Sequence, residues 1–255
     1  MPTLTSEAFI LDSIASRERD RIVTLFTEHE GKLRGLAHGA ARSVKRFGGR
    51  LERLSRVRVR WFEKEGRDLA RIDDLELVQE SFTLNQDLRR SAVLSYVCEI
   101  AVEFTREKEA DGRYYRLIGA VLDALRAGVE ARVLLRYFEF WTARLHGIFP
   151  GLESCDGCGR AFGAAGARLA TGGESAMCRS CARTAGGRTI PLSRAALGVI
   201  EAFRTSAPSA FANVVYPSTA LREVESAAVE ALVSFIGRDI RSASYLRQVV
   251  AETPQ

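Results

Sequence analysis

The stretch Arg56-Val57-Arg58-Val59-Arg60-Trp61 decides how the first third of the chain is read. Cationic and apolar residues alternate, and a period of two is the mark of a β-strand with one face in an apolar interior. Val57, Val59 and Trp61 share the inner face; Arg56, Arg58 and Arg60 share the outer one. Residues on one face of a strand stand about 7 Å apart, so the three guanidiniums form a row along which a phosphate backbone could run. The other reading is a solvated strand whose arginines pair with acids on a neighbour. Asp73, Asp74 and Glu76 are available for that role.

Working outward, Ala8–Ile14 is a short apolar run, Arg21–Thr27 is rich in β-branched residues, and Leu33–Ala37 follows the turn at His29-Glu30-Gly31-Lys32. Leu69–Val78 supplies a fifth strand after Glu65-Gly66. Five short strands in residues 1–80 predict a small closed barrel, an OB-fold or an SH3-like barrel. Beyond residue 80 the period changes to that of helices. Asn85 is the expected cap of a first helix, Arg113–Ala127 and Ala131–His146 form the next two, and Gly147 ends the third. Ser193 caps a further helix with Leu192 as its staple, Pro217-Ser218 precede the last long one, and a short basic segment closes the chain. The fold class is therefore α+β: a five-stranded barrel over 1–80, then an α-helical domain over 81–255 interrupted at about 151–190 by an inserted zinc module.

That interruption carries nine glycines and four of the five cysteines, spaced Cys155-x2-Cys158-x19-Cys178-x2-Cys181. Each C-x2-C turn presents two thiolates on one side, and two such turns complete a tetrahedral shell with no position left for water. The pattern predicts one structural Zn2+; an iron–sulfur cluster uses the same donors. Cys98 lies on an apolar helix and reads as a core residue.

The net charge is +5, but between Lys32 and Arg60 ten Lys or Arg face a single acid, Glu52. Positive charge is concentrated where a polyanion can use it. Lys32, Arg34, Arg42, Lys45, Arg46, Arg50, Arg56, Arg58 and Arg60 are the candidate nucleic-acid contacts. Phe47, in the basic loop, is either a base-stacking residue or a loop anchor, and Tyr137, Phe138, Phe140 and Trp141 read as helix packing. There is no Walker A loop, no G-x-S-x-G and no H-E-x-x-H, so no catalytic residue and no enzymatic activity is expected. No apolar run reaches membrane-spanning length and no signal peptide opens the chain, which predicts a cytoplasmic protein.

In their order along the chain these features resemble the RecO family of bacterial recombination mediators. Glu7-Ala8-Phe9-Ile10-Leu11 and Asp20 to Thr27 are similar to its first two barrel strands, and Gly31-Lys32-Leu33 with Gly39-Ala40 to its next turn and strand. Arg46-Phe47-Gly48-Gly49-Arg50-Leu51-Glu52 resembles its basic loop, with Leu54 in place of an expected aromatic. Leu88-Arg89-Arg90 to Tyr96, Leu145 to Pro150, and Gly172-Gly173 before Cys178 complete the likeness. The resemblance implies an OB-fold that binds single- and double-stranded DNA and anneals complementary strands. It implies RecR and the C-terminal tail of the single-strand-binding protein SSB as partners, with RecA as an indirect one. It also implies a nucleoid-associated location. An RNA-binding factor of transcription or translation, built from a zinc ribbon and an OB-fold, is the competing expectation.

Overall fold

A computed structural model describes residues 3–16, 19–40, 47, 50–63, 66–173 and 175–251, apart from the side chains of 250 and 251. Alternation in residues 56–62 produces what it predicts. Val57, Val59 and Trp61 are buried, Arg58 and Arg60 are exposed, and the ends of the strand are half-buried. Five strands close into a barrel in the order β1-β2-β3-β5-β4: β1 (Thr3–Ala15), β2 (Arg21–Thr27), β3 (Gly31–Ala37), β4 (Arg56–Phe62) and β5 (Ala70–Gln79). β1 pairs with β4 to complete the ring, and β3 pairs with β5 in parallel through Gly35–Ala37 and Ala70–Ile72. This is the strand order of an OB-fold, which separates it from the SH3-like alternative. At the parallel closure a Cβ on Gly35 would come within 2.7 Å of the Ile72 side chain, so only glycine lets the two strands meet.

Ala8, Ile10, Val23, Leu25, Leu33, Ile72 and Leu75 fill the interior around Trp61, and Phe47 packs with them. Phe47 is thus an anchor of the basic loop, not a stacking platform. Leu54 adopts a left-handed backbone (φ 58°) in the core. It is held by its N–H to the Ile10 carbonyl at 2.7 Å, beside the bulge of β1.

The helices are α1 (Phe82–Asn85), α2 (Leu88–Phe104), α3 (Gly112–Arg126), α4 (Ala131–Leu145), α5 (Arg179–Ala185), α6 (Arg194–Thr205), α7 (Ser218–Ile236) and α8 (Ser242–Ala251). Two differ from expectation. Asn85 ends α1 instead of capping the long helix; Asp87 does that, its carboxylate accepting the Arg90 N–H at 2.8 Å. The closing basic segment contributes to α8, whose first amides, Arg241 and Ser242, donate to the Glu99 carboxylate of α2 at 2.9 and 2.8 Å. Ser193 caps α6 as expected, accepting from the Ala196 N–H. The aromatic run of α4 is packing: Phe138 and Phe140 are buried and the Trp141 indole donates to the Phe203 carbonyl at 3.0 Å.

Residues 151–190 contain structure that glycine content concealed, with β6 (Ala167–Ala170) between β7 (Ala176–Met177) and β8 (Thr189–Leu192). The chain divides into two compact units, one of residues 1–116 with 240–255 and one of 117–239. The barrel therefore shares its unit with α1, α2 and α8, and the cysteine-containing segment lies wholly in the other.

Candidate metal centre and nucleic-acid interface

The four paired cysteines come together. Their Sγ atoms all lie within 4.8 Å of one another. Thiolates at about 2.3 Å from a common tetrahedral centre are about 3.8 Å apart, so the cluster fits one ion held by four sulfurs. Cys155 and Cys158 sit on a tight turn closed by the Gly159 N–H to the Cys155 carbonyl at 2.7 Å. Cys178 stands at the N-cap of α5 and Cys181 in its first turn. Asp156 ties the two halves together, its carboxylate accepting the Ala176 N–H at 2.7 Å. Gly157 packs against the sulfurs; a Cβ there would lie 2.9 Å from the Cys181 Cβ. The role of Gly157 was not visible in the sequence, because it depends on the second cysteine hairpin.

The electrostatics favour thiolates. The Cys178 N–H donates to the Cys155 sulfur at 3.1 Å. That amide, with those of Gly157 and Cys158, holds the Cys155 thiol down to about 6. Cys178 is also lowered, first by the Cys181 amide. Cys181 is pushed up to about 12 because the Cys178, Cys158 and Cys155 sulfurs share its proton. A cation would displace that proton. Among the described residues no other His, Cys, Asp or Glu cluster has such geometry.

The barrel cations fall into three groups. Arg58 and Arg60 point outward and are paired: Arg58 with Glu76 at 3.0 Å and Glu7 at 3.4 Å, Arg60 with Asp73 at 2.9 Å and Asp74 at 3.9 Å. The acids of β5 are those named from sequence; Glu7 was missed because β1 reaches β4 across about fifty residues of chain. Lys32, Arg50 and Arg56 are half-buried and held by neighbouring groups. The Lys32 amine donates to the Val102 carbonyl near the end of α2 at 2.9 Å, and burial pushes its pKa down against the pull of Glu107 and Glu103. Arg50 donates to the Leu75 carbonyl at 2.7 Å. Arg56 bonds Glu7 at 2.6 Å and lies 5.9 Å from the Tyr115 ring centre. Arg34 is exposed, with no ion pair among the described residues. Arg42, Lys45 and Arg46 lie outside the described residues. Arg67 and Arg71, which sequence reading passed over, are exposed and likewise without an ion pair among the described residues.

Family comparison agrees with this architecture. The model described as Recombination protein O N terminal matches residues 1–81, and that described as Recombination protein O C terminal matches residues 85–243. The chain belongs to the RecO family. Among RecO relatives named "DNA repair protein RecO", that of Anaeromyxobacter sp. (strain K) is 32% identical over 240 residues, covering 94% of each chain. That of Geobacter sulfurreducens is 31% identical over 249 residues, covering 98% of this chain and 99% of its own. No helix among the described residues of this RecO family member is long and apolar enough to cross a membrane.

Proposed function

We propose that this chain is a non-enzymatic mediator of DNA repair and homologous recombination. It binds single- and double-stranded DNA through the barrel of residues 1–80, anneals complementary strands and, with RecR, helps load RecA onto SSB-coated single strands. The helical region 81–255 captures the C-terminal tail of SSB, and the four-cysteine module holds one structural Zn2+. The observation that carries this reading is the match of both family halves across a chain whose barrel bears the cationic surface. Thiolate donors in two C-x2-C turns are the set that structural zinc takes. Phosphate contact belongs to Arg34, to the loop residues Arg42, Lys45 and Arg46, and to Arg58 and Arg60, which exchange a carboxylate for a phosphate. Lys32, Arg50 and Arg56, half-buried beside them, complete the set of contacts. The test is annealing of complementary DNA strands coated with SSB. The protein should accelerate annealing, and SSB without its C-terminal tail should reduce the effect. No acceleration on coated or bare strands, or equal binding to RNA of the same sequence, would sink the proposal.

A further inference from the structure

The outward surface of the barrel is not uniform. Around Arg58 it is charge-balanced, with Glu7 on one side and Glu76 on the other. Two outward positions along β4, at Phe62, the backbone register runs Ile14–Ile22–Leu36–Arg71–Phe62–Thr3 across the strands. These are outward positions: their neighbours Val23, Ala37, Ile72 and Trp61 fill the interior. Outward positions facing water are ordinarily polar, yet Ile14, Ile22, Leu36 and Phe62 occupy four of these six.

Arg71 stands between Leu36 on β3 and Phe62 on β4, where the parallel β3–β5 pairing brings three strands together. A half-open pocket of about 750 Å³ lies there, lined by Leu36, His38, Phe62, Arg67, Leu69 and Arg71. Asp68 is the one carboxylate among the described residues that line it. The Asp20 carboxylate lies 3.2 Å from the His38 ring and fixes that edge. Arg67 and Arg71 have no ion pair among the described residues, whereas Arg56, Arg58 and Arg60 all have one.

We propose that this pocket seats one unstacked base of a single nucleic-acid strand, an inference that rests on reading the barrel as a DNA-binding domain. Phe62, Leu36 and Leu69 cover the face of the base, and Arg71 and Arg67 take the flanking phosphates. The combination of apolar floor and paired cations selects this ligand. A small anion leaves the floor unused. An apolar peptide leaves two guanidiniums without a partner. A duplex keeps its bases stacked within and cannot reach the floor.

Fluorescence anisotropy with the full-length protein tests this, using a thymidine strand of about 15 nucleotides, within the site sizes of such barrels, and an abasic strand of equal length that keeps every phosphate. The intact protein should bind the thymidine strand more tightly by roughly 5- to 150-fold, the range that one stacked base is worth. Phe62→Ala should erase most of that difference and leave abasic binding unchanged. Arg71→Gln should weaken both strands alike. Equal affinity of the intact protein for both strands overturns the pocket and leaves the DNA-binding reading standing. Failure to bind either strand overturns both. A folded Phe62→Ala protein that keeps the thymidine preference also overturns the pocket, and Leu69→Ala, which removes part of the same floor, takes its place if Phe62→Ala does not fold.

Discussion

The barrel and the four-cysteine module are both small β-structures, but their centres are made of different material. Trp61, Phe47, Ile10, Leu25 and Leu75 fill the barrel, all of them buried. The buried side chains among the described residues of 151–190 are three alanines with Phe162, Leu169 and Cys155. A core of that size removes little apolar surface from water, and at about 25 cal/mol per Å² it cannot offset the ordering of a glycine-rich chain. Four sulfurs gathered within 4.8 Å could do so by holding one ion. One region is held by side chains that exclude water; the other brings together side chains that could share a ligand.

The sharpest way to break this contrast is to take the metal away. Structural zinc contributes about 10–16 kcal/mol in small zinc-bound peptides. Chelation, or Cys178→Ser, should therefore abolish amide-exchange protection across 151–190 and leave β1–β5 protected. Module protection that survives chelation would show that its small apolar core suffices. Binding of metal should also fail on acidification, because protons compete for the thiolates.

The converse change strikes the barrel. Trp61→Ala should cost about 3–5 kcal/mol and Val59→Ala about 0.5–3 kcal/mol, read as urea midpoints, with zinc content unchanged. Loss of zinc in either variant would mean that the two regions are not energetically separate. A smaller effect belongs to the outer arginines. Arg58→Ala and Arg60→Ala should change stability by no more than about 1 kcal/mol, since exposed pairs contribute little. Each should flatten the dependence of log affinity on log salt by about 0.7 for single strands. An unchanged slope would leave these arginines as partners of Glu7 and Asp73 alone.

The smallest expected effect concerns thiols. Burial pushes Cys98 up to about 12, so at a mildly alkaline pH of about 8 it should not react with a thiol reagent while the protein is folded. After chelation four of the five cysteines should titrate. The neutral thiol is the native form, so its contribution to stability is present below about pH 9, its unfolded value, and is lost as pH rises towards 12. Cys98→Ala should remove that part of the alkaline slope.

What was legible in the sequence follows the same division. In β4 every second residue meets the interior, so alternation at Arg56–Trp61 gave strand, inner face and outer face together. The first residues of β1 were not visible: Thr3 and Thr5 are exposed where they pair with β4, with no apolar pattern to announce them. In the module the cysteine spacing spoke clearly for a ligand set. The strands β6–β8 stayed hidden, because four- and two-residue strands offer too few positions for a period to show. The row Leu36–Arg71–Phe62 is written in three separate segments and exists only once β3 and β5 lie parallel. α8 carries one well-buried leucine, Leu246, and takes its N-terminal partner from Glu99, so nothing within its own ten residues marks its start.

That last contact sets a schedule for synthesis. Glu99 accepts the Arg241 and Ser242 amides and the Ser242 hydroxyl, the last at 2.7 Å. Its partners leave the ribosome 142 and 143 positions later. At about 5–20 residues per second, the barrel's unit waits on the order of ten seconds for its final helix, while the whole of the other unit is made in between. During that interval the side of α2 that receives α8 stays open. The nascent chain therefore offers the cell a partly covered first unit, and α2 is covered only after α8 has emerged.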